Sequence, residues 1–160
     1  MKIAPRQIAS FLAKPPDKIR AILLHGSDAG MRSSRARQLA ALYSDDLDDV
    51  FSVTRISGSS LHSEAGKIAD ATAEIPMFGS RLVLVKATGT ELLEACKFLL
   101  SRPIDDAMVI IDASDTTTKH AVVKLFETSD TAAAIGCYPD NVFDIRQLTT
   151  RILRKDNVSV

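Results

Sequence analysis

These 160 residues carry no excess of charge: 20 Lys and Arg balance 20 Asp and Glu, for a formal net charge of zero. A chain so balanced offers no electrostatic footprint to nucleic acid or to an anionic membrane, so any contact with DNA is expected to be weak or to run through a partner. Cysteine is scarce as well. Cys96 and Cys137 stand apart among apolar neighbours, with no C-x-x-C pair, and no stretch reads as a secretory signal. That pattern excludes a disulfide scaffold and points to two reduced core thiols in a cytoplasmic protein. No apolar run approaches the roughly 20 residues a membrane helix needs, so no membrane contact is expected. His25, His62 and His120 lack metal-ligand spacing, and no G-x-S-x-G elbow occurs. Neither a bound metal nor independent catalysis is therefore expected.

What is present is the frame of a phosphate-binding loop without its chemistry. Ala21-Ile22-Leu23-Leu24 is a continuous apolar run of the kind that suits a strand covered on both faces. Gly26 and Gly30 then supply a flexible turn, and Ser33 or Ser34 a helix cap, as in a loop opening a doubly wound domain. Counted from Gly26 in the P-loop pattern, the second glycine falls on Met31 and the lysine on Arg32, and only Ser33 matches. Met31 puts a Cβ and a thioether where backbone amides must approach phosphate oxygens. Arg32 keeps the charge but not the compact shape of an ammonium. Gly26, Gly30, Arg32 and Ser33 are accordingly read as an inactive phosphate loop with no cofactor, the alternative being an atypical nucleotide site.

Along the chain, Ile8, Phe11 and Leu12 mark an amphipathic helix that begins near Pro5 and ends at Pro15-Pro16. A helix is expected from about Ser33 to Ser44, its stripe formed by Ala36, Leu39, Ala40 and Tyr43. Arg32, Arg35 and Arg37 lie at its start, where positive charge is unfavourable, so the cluster is either solvated, the favoured reading, or kept for a contact. After the acidic turn 45–49, Val50 to Ile56 reads as a second strand with Phe51 and Val53 on one face. Gly58 to Ser60 reads as a loop, and a helix follows from about Ser63 to Ala73. Leu82-Val83-Leu84-Val85, Met108 to Asp112 and Ala132 to Cys137 are further strands, separated by helices at Glu91 to Leu100 and Lys119 to Glu127. Strands alternating with helices predict a parallel α/β three-layer sandwich with a five-stranded sheet over residues 1–141. Another helix begins at Val142 and would open a second, truncated domain over 142–160. Between the third helix and the third strand, Pro76 and Gly79 bracket Met77 and Phe78. Two consecutive large apolar side chains in so short a turn cannot easily both point inward, which makes them candidate anchors for a partner pocket.

Asp112, ending an apolar strand, resembles the acid that holds magnesium in P-loop enzymes, but Ala113 follows it. In the ATPase fold of AAA+ topology the metal-binding acid belongs at the end of the third strand, which here reads Val85-Lys86-Ala87, and a lysine cannot ligate a cation. Asp112 to Asp115 would then occupy the sensor position.

With these motifs in order, the chain resembles the N-terminal domain of the bacterial DNA polymerase III delta subunit family, the clamp-loader component that opens the sliding clamp. The resemblance is carried by Leu23 to Gly30, by Ile75-Pro76-Met77-Phe78-Gly79-Ser80-Arg81 ahead of Leu82 to Val85, and by Lys124-Leu125-Phe126-Glu127 leading to Cys137-Tyr138-Pro139-Asp140. It implies a degenerate P-loop, AAA+-like fold that has lost ATP binding. It also implies a clamp contact through Ile75, Pro76, Met77 and Phe78, with Met77 where a leucine is common. The beta sliding clamp and the other loader subunits are the implied partners, the latter through a collar domain outside this sequence. Two further readings stand beside it: a small P-loop nucleotide-dependent enzyme using Arg32 and Ser33, and a Rossmann-like ligand domain, which would lack its G-x-G-x-x-G loop.

Overall fold

The apolar runs become five parallel strands: β1 (Ala21–His25), β2 (Val53–Ser57), β3 (Arg81–Thr88), β4 (Ala107–Ser114) and β5 (Ala132–Gly136). This computed structural model describes residues 1–74 and 80–139. The Ile75–Phe78 segment and the helix expected from Val142 lie outside them. Among the described residues, α1 (Ile8–Ala13) precedes the first strand, and α2 (Ala29–Ala40), α3 (Gly58–Leu61), α4 (Lys67–Ala73), α5 (Gly89–Leu100) and α6 (Ala121–Thr128) lie between strands. The sheet order is β2-β3-β4-β1-β5, every pair parallel. The expected α/β three-layer sandwich is therefore the observed one.

β1 is buried along its whole length because it lies between β4 and β5 with a layer on each face. Side chains alternate across a strand, so Ala21 and Leu23 join one apolar layer while Ile22 and Leu24 join the other. The first layer is covered by α3 to α6, through residues such as Ile68, Leu92, Leu99 and Phe126. The second is covered by α1 and α2, through Phe11, Leu12, Leu39 and Ala40. Cys96 belongs to the first layer and Cys137 to the second, both as free thiols, and burial pushes the Cys96 thiol up to about 12.

Several boundaries differ from expectation for local reasons. β2 begins only at Val53, because Asp49 folds the preceding residues into a turn: its Oδ1 accepts from Phe51 N at 3.0 Å and its Oδ2 from Ser52 Oγ at 2.8 Å. Phe51 is consequently 66 % exposed and shares no strand face with Val53. The expected loop at Gly58 is the short α3, and the helix expected from Ser63 starts at Lys67. α5 begins earlier than the Glu91 expected, because Glu91 Oε2 reaches back to Thr88 N at 2.8 Å and caps it.

Candidate functional site

α2 is poor in apolar side chains, and something other than hydrophobic burial must fix its start. Its cap is Asp28, whose Oδ1 accepts from Met31 N at 3.0 Å, and neither Ser33 nor Ser34 has that role. The helix therefore begins four residues before the position expected of it, at Ala29, and Met31, Arg32 and Ser33 all fall inside its first turns. Gly30 is also helical, with no positive φ, so only Gly26 (φ 113°) serves as a turn glycine.

The connection from β1 to α2 is a taut loop with much of its backbone tied to its neighbours. Gly26 N donates to Thr116 O at 2.9 Å, Asp28 N to Cys137 O at 3.0 Å, and Arg32 N to Asp28 O at 3.0 Å. The Thr116 carbonyl is brought there by Asp115, which takes a left-handed φ of 49°, a conformation Asp tolerates better than most residues. The amides of Gly26, Asp28 and Arg32 are thus committed to carbonyls, and the helix N-terminus already holds the carboxylate of Asp28 on Met31 N.

Arg32 completes the plug. Its Nε donates to Asp112 Oδ1 at 2.7 Å, with the two side chains 8 % and 13 % exposed, and its Nη1 donates to Gly26 O. The expected solvated arginine cluster is corrected on this point. Arg32 is buried, and Arg35 donates through Nη1 to Gly136 O at 3.0 Å and to Cys137 Sγ at 3.3 Å, while Arg37 alone is exposed. Burial still raises the Cys137 thiol despite the neighbouring arginines.

The place of this pair in the topology gives it meaning. The chain leaves β1 toward α2 on one face and leaves β4 toward α6 on the other, so the carboxyl ends of β1 and β4 flank a topological switch point, where open α/β sheets bind ligands. Here that crevice is filled from within by a guanidinium and a carboxylate. The fold has a solved counterpart. The crystal structure of a DNA polymerase III gamma subunit-related protein from Thermotoga maritima superimposes with a TM-score of 0.53 at 13% identity, covering 93% of this chain and 52% of that one. The chain thus spans about half the length of that protein, and at this identity the likeness is one of fold alone. Neither a family model nor a curated protein sequence matches the chain.

The structure brings Gly26, Arg32 and Asp112 into one cluster and places Ser33 and Lys86 just beyond it. Lys86 and Asp112 are paired neighbours at the ends of β3 and β4. Sequence reasoning missed the Asp28 cap, although an aspartate ahead of a helix is the usual signal. It also missed Thr116, and it favoured solvent over a contact for Arg35; both act through contacts distant in sequence. Ile75, Pro76, Met77 and Phe78 lie outside the described residues, but their flanks do not: Glu74 Oε2 and Arg81 Nη2 form an ion pair at 2.7 Å, joining the two ends of that segment.

His25 sits at the end of β1 under this cluster, 3 % exposed, its ring edge-on to Tyr138 with centroids 5.9 Å apart. Burial, helped by Lys2, lowers it from 6.5 to about 4. The folded state therefore excludes a proton that the unfolded chain binds. Above pH 6.5 the two states bind alike and no stability is lost, whereas between pH 6.5 and about 4 stability falls as pH falls. The loss is expected to be on the order of 2–3 kcal/mol, and urea unfolding across this window should show His25→Gln losing less than the parent by that amount. Equal losses in both proteins would show that the ring protonates freely in the fold.

Proposed function

We propose that the chain is a clamp-loader subunit of the delta type, which engages the beta sliding clamp through Ile75, Pro76, Met77 and Phe78 and uses no nucleotide of its own. The observation that carries the reading is the Arg32–Asp112 pair in the switch-point crevice, beside an Asp28 carboxylate at the helix N-terminus. A domain with this fold that fills its own ligand crevice retains the scaffold and gives up the chemistry. Its function then falls to its surface. On this reading residues 1–141 form the clamp-binding domain and 142–160 begin a lid, the protein works in the cytoplasm, other loader subunits join through further domains, and DNA is touched only weakly or through the assembly.

The clamp contact is testable. Met77→Ala with Phe78→Ala is expected to weaken binding to the cognate clamp by on the order of 2–4 kcal/mol, the range of hot-spot truncations, with little change in urea unfolding. If the folded double variant bound the clamp as the parent does, the pair would not be the anchor. Calorimetry with Mg-ATP provides an independent check: no saturable heat is expected at micromolar nucleotide. The amides of Gly26, Asp28 and Met31 and the Arg32 guanidinium are already bonded, and Lys86 stands where a metal-binding acid is needed. Micromolar Mg-ATP binding would instead favour a small nucleotide-dependent enzyme.

A further inference from the structure

The sheet is wider than the helices on one of its faces. Five strands spaced about 4.8 Å apart make a sheet roughly 24 Å across. Among the described residues only α1 and α2 are helices covering the face that carries Ile22 and Leu24, and α2 lies over β1 and β4. Beyond α2, over the carboxyl halves of β2 and β3, a cleft of about 510 Å³ remains. Its floor includes Leu84 and Ile110, and its polar rim is formed by Ser33 and Arg37 of α2, Arg55 of β2 and Lys86 of β3.

The charge around it is lopsided in a chain whose formal net charge is zero. Three cationic side chains line the cleft, and its one carboxylate, Asp112, is already neutralised by Arg32 at 2.7 Å. Arg55 makes only a 3.3 Å hydrogen bond to Leu47 O, and Arg37 and Lys86 have no side-chain partner among the described residues. None of the four aspartates of the neighbouring acidic turn lines the cleft, and two of them are engaged within the turn: Asp46 accepts from Asp48 N, and Asp49 from Phe51 and Ser52. Cations with free donors, gathered over an apolar floor at the carboxyl ends of parallel strands, are suited to an anion that carries an apolar body.

We propose that this cleft binds a small organic phosphomonoester, its phosphate held by Arg37, Arg55 and Lys86 and its apolar body seated on Leu84 and Ile110, without a metal ion. The site is separate from the Gly26–Asp28 loop, where the Asp28 carboxylate holds the helix N-terminus, and it does not depend on the clamp contact. No metal is needed because cationic side chains neutralise the phosphate directly, and no uncommitted carboxylate lines the cleft to hold one.

Phenyl phosphate, inorganic phosphate and benzyl alcohol separate the contributions. In NMR titrations of the whole chain, phenyl phosphate is expected to shift the amides of Ser33 and Lys86 saturably at millimolar concentration or below. Its binding should be about tenfold tighter than that of inorganic phosphate, as burial of one ring predicts. Benzyl alcohol should give no saturable shift, and magnesium should leave the phenyl phosphate isotherm unchanged. Lys86→Glu and, separately, Arg55→Glu should each weaken binding at least tenfold; both side chains are exposed, so folding is expected to survive and is checked by thermal melts. Should either variant misfold, the corresponding glutamine variant takes its place, with a weaker but still measurable loss. The proposal is overturned if phenyl phosphate fails to bind at millimolar concentration, if benzyl alcohol binds equally well, if magnesium is required, or if both folded charge-reversal variants bind as the parent does.

Discussion

Asp112→Ala is expected to cost on the order of 3–5 kcal/mol of folding stability, out of proportion to the few atoms removed. The cost comes from what is left behind. Arg32 is 7 % exposed, its Nε loses its acceptor, and its remaining contact with Gly26 O cannot offset a buried guanidinium deprived of its counter-charge. The partner pair is then informative. Replacing both residues at once, Arg32→Met with Asp112→Leu, removes the charge that needed compensation and should recover most of the loss, because apolar substitutes of similar volume commonly match or exceed a buried ion pair. Urea unfolding of the parent, the single and the double variants measures this directly. A double variant no more stable than Asp112→Ala would mean that the pair positions the loop through directional hydrogen bonds that packing cannot replace. A single variant within 1 kcal/mol of the parent would contradict the buried-pair account.

That pair also marks how far the fold and the site were legible in the sequence. The strands were legible because burial on two faces demands continuous apolar runs, and Ala21 to Leu24, Met108 to Ile111 and Ala132 to Ile135 supply them with no polar interruption. The start of α2 was not, because its sequence carries a weak apolar stripe and the cap that fixes it is one of two plausible oxygen-bearing signals, Asp28 or the serines at 33 and 34. A run of arginines near a helix start reads as solvated on helix-dipole grounds. The opposing fact, an aspartate 80 positions away that arrives at the same point through the β1–β4 pairing, exists only in three dimensions. Phe51 illustrates the converse. Alternation with Val53 suggests a strand face, but the Asp49 side chain competes for the local backbone and wins, so the residue is turned outward. The departure from the P-loop pattern is read directly from Met31 and Lys86, whereas the internal hydrogen bonds of Gly26, Asp28 and Met31 N–H and the burial of Arg32 are not.

The two glycines that looked equivalent in the sequence should respond to alanine in opposite directions. At Gly26 the backbone holds φ at 113°, a region that side chains rarely enter, and a Cβ there would lie 2.7 Å from the carbonyl carbon of Cys137 and 2.9 Å from its nitrogen. Neither side can yield easily. The Cys137 carbonyl accepts from Asp28 N and its N–H donates to His25 O at 2.6 Å, while Gly26 itself is tied to Thr116 O and to Arg32. Strained dihedrals and overpacking against fixed backbone together predict a loss on the order of 3–5 kcal/mol for Gly26→Ala. Gly30 differs in every respect that matters. It lies in the first turn of α2, it is exposed, and the nearest atom to a new Cβ is Asp28 Oδ1 at an ordinary 3.5 Å. Gly30→Ala should therefore stabilise by roughly 0.5–1 kcal/mol, through better helix propensity and a less flexible unfolded chain. Chemical denaturation of the two variants side by side reads both signs. Comparable losses at both positions would mean that Gly30 is needed as a turn residue after all, and that α2 begins later than Asp28 dictates.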